Sequence, residues 1–225
     1  MGASNNNGMI GNLFSVVNGK WTKRVEAGTV GAIQRVNKKG NEVYELGFTT
    51  LSGHLISGNL EQSDFGWSAK VTLHDRADGN DYIVTLPIDS KYLMDIIKRL
   101  PVVDPAQEVI LSLAASKKKV TKTGGPVFNL YMKQGQKNLE DQYVKWTTGS
   151  DGVHKATYMM GLPEPETDEI TGQKDYKKQE RWLLGKFKAF FETYEPAFPP
   201  IRLSESTVSD MDDNNHQEDD DGIPF

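Results

Sequence analysis

No cysteine occurs at any of the 225 positions of this sequence. That absence removes a disulfide framework, a thiol nucleophile and the usual cysteine-containing zinc site, and it fits a reducing compartment. Long apolar runs are missing as well: none approaches the roughly 18 residues of a membrane span. The first residues are small and polar, without the basic flank and apolar stretch of a signal peptide. Asn6 stands where a myristoylation signal needs Ser or Thr. The expectation is a soluble, cytoplasmic protein with no membrane contact. Catalytic motifs are equally scarce. No Gly-x-Ser-x-Gly, P-loop or HExxH pattern occurs, and His54, His74, His154 and His216 are scattered. No catalytic residue, metal site or cofactor is expected. Asp75, Asp78 and Asp81 with His74 come nearest to a metal loop, but their spacing misses the EF-hand. Asp78-Gly79-Asn80 has the chemistry of a hairpin turn, which is the preferred reading.

Positive charge is in deficit overall, with 26 Lys and Arg against 31 Asp and Glu, a formal net charge of −5. The deficit is local. Residues 205–225 hold eight acids and no Lys or Arg, which leaves residues 1–204 with 26 cations against 23 acids, net +3. The chain thus reads as a mildly basic body with an acidic tail, and the two parts call for separate interpretation.

What the body does have is strand-like alternation. Tyr44, Leu46 and Phe48 alternate with Val43, Glu45 and Gly47; Trp67, Ala69, Val71 and Leu73 alternate with Ser68, Lys70 and Thr72. Residues 83–88, 109–115, 127–133 and 143–147 are further short runs of β-branched or aromatic content. Turn residues separate them at 37–41, 77–80, 123–126 and 148–150. One helix interrupts the series: Ser90 is its N-cap, Leu93, Ile96, Ile97 and Leu100 share its apolar face, and Pro101 stops it. The expected fold is mainly β with helices, built on a small antiparallel barrel or strongly curved sheet. The five-stranded OB barrel leads, with surplus strands decorating it.

Residues 1–160 form this β domain, and the Pro- and acid-rich stretch 161–175 reads as a loop. A second helix is expected from 176 to 194, where Leu183, Phe187, Phe190, Phe191 and Tyr194 make one apolar stripe. Together with the Pro-rich stretch up to 203 it should pack on the barrel, the alternative being a dimer or partner-binding helix. Residues 204–225 hold too few apolar groups to offset their ordering entropy, so a disordered tail is expected.

The tail ends Asp219-Asp220-Asp221-Gly222-Ile223-Pro224-Phe225. A rigid Pro, an aromatic ring and a carboxylate behind an acidic run form a ligand that an apolar, cationic pocket captures. This end closely resembles the C-terminal tip of bacterial-type single-stranded DNA-binding proteins, consecutive aspartates followed by Ile-Pro-Phe, with Gly222 here inserted between the two. The body shows neither the bacterial family's N-terminal strand sequence nor its Gly/Gln-rich linker. The chain as a whole resembles bacteriophage single-stranded DNA-binding proteins, a class with varied bodies that often keeps an OB fold and an acidic end. The resemblance implies single-stranded DNA as ligand and replication, recombination or repair proteins as partners. Asp219, Asp220, Asp221, Ile223, Pro224 and Phe225 would make the partner contact. For a viral chain the implied location is the cytoplasm of the bacterial host.

Nonspecific single-strand binding needs cations for phosphates and aromatic faces for bases. Lys20-Trp21-Thr22-Lys23-Arg24 sets an aromatic in a basic run. Lys117, Lys118, Lys119 and Lys122 mark a basic hairpin arm, and Lys38 with Lys39 a second basic turn. Alternation places Tyr131 beside Lys133 on an open face, Tyr143 beside Lys145, and Lys70 on the polar face of its strand. Trp67, Trp146 and Phe48 read as core. Two other functions remain open. One is an accessory recombination or replication protein that uses the tail without binding DNA; the other is a metal-dependent nuclease. A homo-oligomer is compatible with the sequence.

Overall fold

The computed structural model describes residues 12–37, 40–63, 66–120, 126–150 and 152–198, with the backbone alone for 117–120. The basic turn Lys38-Lys39, Lys122 and the whole acidic tail therefore lie outside the described residues. Fourteen strands follow in order: β1 (Leu13–Val17), β2 (Lys20–Val25), β3 (Ile33–Val36), β4 (Glu42–Phe48), β5 (Thr50–Ser63), β6 (Gly66–Asp75), β7 (Asn80–Pro87), β8 (Val109–Val120), β9 (Pro126–Gln134), β10 (Lys137–Asn138), β11 (Val144–Thr148), β12 (His154–Tyr158), β13 (Glu166–Thr167) and β14 (Lys174–Asp175). Helix α1 (Lys91–Ile97) lies between β7 and β8, and α2 (Lys177–Thr193) comes last. The stretch read as a loop at 161–175 contains the short β13–β14 hairpin.

Ten strands form one mixed sheet in the order β10-β9-β8-β5-β6-β7-β1-β2-β4-β3. Only the β1–β7 pairing among these is parallel. The mainly β reading holds, but the pairing among the described residues does not close a five-stranded barrel. Six strands, not five, form the run β5-β6-β7-β1-β2-β4, and its end strands are paired with other strands and not with each other. Thr49 alone separates β4 from β5, so the run β5-β6-β7-β1-β2-β4 begins and ends at the same point of the chain. A twisted sheet that returns on itself in this way is strongly coiled. A bulge between Leu55 and Ser57 adds to the bend and lets consecutive residues His54, Leu55 and Ile56 all point into buried space.

The core collects the inward residues of this coil: Trp21, Val71, Leu73, Val84, Leu86, Leu111, Leu113, Leu130 and Met132. Helix α1 adds Leu93, Ile96 and Ile97, after the Ser90 hydroxyl has accepted a hydrogen bond from the Tyr92 N–H at 3.2 Å. The α-helix ends at Ile97, and Pro101 lies within a 3-10 turn, Leu100–Val102. Asn18 and Gly19, with φ of 49° and 71°, make the tight turn joining β1 to β2. Gly19 is required twice over, because the Phe128 ring lies where any β-carbon would go.

Helix α2 lays its stripe on β5 and α1. Leu183 and Phe187 are buried, the Phe191 ring covers Gly58, and the Tyr194 hydroxyl donates to the Leu55 carbonyl at 3.1 Å. Beyond the helix, Phe198 meets the His54 ring edge-on at 4.6 Å, and the Arg76 guanidinium lies over the Phe198 ring at 4.7 Å. This contact pins the chain just before its acidic segment.

Three aromatics read as core are exposed: Phe48 by 38%, Trp67 by 49% and Trp146 by 65%. Phe48 ends β4, touching Phe14 edge-on at 5.7 Å. Trp67 lies at the hairpin end of β6, opposite Gln62. Trp146 belongs to the β11–β12 hairpin, which stands apart from the main sheet. The buried place in β4 goes instead to Glu45, whose carboxylate takes a bidentate ion pair from Arg35 at 2.5 and 2.6 Å.

Candidate nucleic-acid interface

Strand register assembles one face from residues distant in sequence. Thr50, Ser112 and Tyr131 lie side by side across β5, β8 and β9, and Ser52, Ile110 and Lys133 form the next row. Leu111, Leu113, Leu130 and Met132 alternate with these and fill the core, so the rows face the other way. The neighbours of Tyr131 in its row are small hydroxyl residues, with Thr50 Oγ1 and Ser112 Oγ 3.3 Å apart. Its ring is 42% exposed, and no described ring or cation packs against it. Lys133 stands one row away, opposite Asn138 of β10, without an ion pair among the described residues.

The same two strands continue into an arm. Pairing of β5 with β8 stops at Ser112, whereas β8 and β9 stay paired to Ala115 and Phe128 and, after a break in register, meet once more at Val120 and Pro126. Beyond Ala114 the pair is an irregular two-stranded ribbon, and the β8 residues looped out at the break in register, between Ala115 and Val120, include Lys117, Lys118 and Lys119. An aromatic platform thus passes directly into a lysine-bearing ribbon.

The remaining sequence candidates divide sharply. Trp21 is a correction: it is fully buried, and its indole Nε1–H donates to the Leu111 carbonyl at 3.1 Å, joining β2 to β8. A ring held on both sides by core cannot receive a base. Tyr143 is another, buried and edge-on to Trp182 at 5.3 Å. That burial, helped by the Asp141 charge, raises its hydroxyl pKa above the ordinary tyrosine value. Alternation fails there because Asp141 Oδ1 accepts both the Tyr143 and Val144 N–H groups, so two successive side chains enter the core at the start of β11. Lys145 is exposed on that strand.

In β2, Lys20 and Arg24 are exposed and share one face, while Lys23 turns the other way and donates to Asn12 Oδ1 at 2.6 Å. Lys70 is ion-paired with Glu61 and its charge is locally neutralised. Tyr131, Lys133 and the lysine ribbon are therefore the candidates that the fold brings together. Residue-type reasoning missed Thr50, Ser112 and Asn129, the small or polar surroundings that leave Tyr131 open. Only pairing register reveals them.

The hairpin turn between β6 and β7 is present. Asp75 Oδ1 accepts the Ala77 N–H and Asp78 Oδ1 the Asn80 N–H, both at 2.8 Å, while His74 Nδ1 meets Asp81 at 2.7 Å. Among the described residues no three His, Asp or Glu side chains gather as a metal site, and no helix is long and apolar enough to cross a membrane. No protein family, curated protein or solved structure matches this chain.

Proposed function

We propose that this protein binds single-stranded DNA without strong sequence preference and recruits replication, recombination or repair proteins through its acidic C-terminal segment. The observation that carries the reading is Tyr131: an open ring beside Lys133, at the root of a ribbon bearing three consecutive lysines. Stacking accepts any base because every base has a π face, and lysines follow the backbone without reading sequence. A coiled β surface of this kind also serves the small barrels that hold single strands, and an OB-like body is part of this proposal. The tripeptide Ile223-Pro224-Phe225 behind Asp219, Asp220 and Asp221 supports the recruiting role through its resemblance to bacterial tips.

Titration of the full chain with labelled oligo-dT and with duplex DNA tests this. The expected result is single-strand preference, with a log–log salt slope near −0.7 for each phosphate neutralised. Equal affinity for duplex would refute the single-strand function, and no binding even at low salt would favour an accessory protein that works through its tail alone.

A further inference from the structure

We infer that the β11–β12 hairpin is a second base-stacking station, with Trp146 as its platform, so that one bound strand engages the protein at two separate places. This rests on the DNA-binding reading but uses residues outside the Tyr131 face.

The hairpin is a two-stranded sheet of its own, and its root is built rigidly. Asp141 caps Tyr143 and Val144, the Met159 N–H donates to the Tyr143 carbonyl at 2.8 Å, and Tyr143 packs on Trp182 of α2. From that root the ribbon projects. Trp146 pairs across it with Ala156, whose methyl group is too small to cover an indole. The ring is 65% exposed, more than any other aromatic side chain described. No described ring or cation rests on it. Leaving that much indole in water forfeits the burial that usually places tryptophan inside, so an occupant of the ring face is the economical explanation.

Charge and shape favour a base over a protein surface. Alternation puts Lys145 and Lys155 together on the reverse of the ribbon, opposite Thr157 and Thr147, and neither makes an ion pair among the described residues. The ribbon is only two strands wide, so a DNA strand that laid a base on Trp146 and passed round an edge would bring its phosphates to these cations. A protein partner would instead want several apolar side chains around the tryptophan. Here the apolar residues that share the face, Val144, Tyr158 and Ala156, already lie in or against the core, and its outer end holds Thr148 and His154, bonded to each other at 2.9 Å. The arrangement is an exposed ring on one face of a narrow ribbon, with two lysines on the other.

The test uses the full chain, oligo-dT of about twenty nucleotides, and the variants Trp146→Ala, Trp146→Phe and Tyr131→Ala. Trp146→Ala should weaken binding about fivefold to a hundredfold. Trp146→Phe should retain most affinity yet lose the share of tryptophan quenching that Trp146 supplies, which comparison with Trp67→Phe separates from the signal of the other exposed indole, since Trp21 is buried. An oligonucleotide carrying 5-iododeoxyuridine should photo-crosslink to the peptide that contains Trp146. The joint change Lys145→Gln with Lys155→Gln should flatten the salt slope by about 1.4 if both meet phosphates. Wild-type binding that Tyr131→Ala weakens, with Trp146→Ala unchanged and no crosslink at the hairpin, overturns the second station and leaves the DNA-binding reading intact. A wild-type chain that binds no single strand overturns both.

Discussion

Replacing Tyr131 with alanine removes the ring from the β5–β8–β9 face while touching the core hardly at all. The side chain is 42% exposed and its row neighbours are Thr50 and Ser112, so the stability change should stay within about 1 kcal/mol. Binding is another matter. One base stacked on one ring contributes about 1–3 kcal/mol, which corresponds to a loss of about fivefold to 150-fold in affinity for oligo-dT. Tyr131→Phe keeps the π face and should stay near wild type. Lys133→Gln should cost less at moderate salt, and its signature is a slope shallower by about 0.7. Lys39→Gln, in the basic turn, should also cost less than loss of the Tyr131 ring. Anisotropy of a labelled oligonucleotide across a salt series measures all four variants without depending on intrinsic fluorescence, and thermal melting checks the fold. If Tyr131→Ala binds like wild type while Lys133→Gln does not, the face carries phosphates alone and the stacking argument fails.

Trp21→Ala should destabilise the fold by about 3–5 kcal/mol in a urea titration, because it empties a fully buried site and strips the Leu111 carbonyl of its donor; a near-neutral effect would contradict its placement in the core. Burial raises the Asp95 pKa above the usual carboxylate value against the opposing pull of Arg99, Lys98 and Lys91. A raised carboxyl pKa contributes stability while the group is protonated and loses it as pH rises through the folded-state pKa. Asp95→Asn should therefore raise the melting temperature by about a degree or two at neutral pH and make no difference below the ordinary carboxylate pKa near 3.8. The opposite pH dependence would mean that the Arg99 pairing outweighs desolvation. Deleting residues 205–225 should tighten oligo-dT binding, most at low salt, since eight tethered negative charges then no longer compete for the cationic face; unchanged low-salt affinity would exclude that competition.

Much of the local structure was legible in the chain. Ser90 announced α1, Asp78-Gly79-Asn80 announced the β6–β7 turn, and the spacing of Leu183, Phe187, Phe191 and Tyr194 announced the buried stripe of α2. Each depends on neighbours within a few residues, where propensity and periodicity act. The aromatic assignments went astray for a nonlocal reason. Alternation says that Trp21 and Lys20 face opposite ways, but not which face another layer covers. Trp21 is buried because its ring packs in the core against β8, and Trp146 is exposed because its hairpin is a separate two-stranded sheet whose core contacts come from Val144, Ala156 and Tyr158. The candidate site divided likewise: Tyr131 and Lys133 were visible as neighbours on one strand, whereas the openness of their face depends on Thr50 and Ser112, far away in sequence.

By itself, the sequence determined the separation of a mildly basic body from an acidic segment, the predominance of strands and the places where they turn. Those properties are set by composition and short-range geometry. Tertiary structure alone decided that β4 and β5, one residue apart in the chain, would stand at opposite ends of a six-strand run, that the sheet would coil without closing five strands into a barrel, and which rings would remain available to a ligand. Exposure belongs to the packing of distant segments, and residues that look interchangeable along the chain become core or surface only when those segments meet.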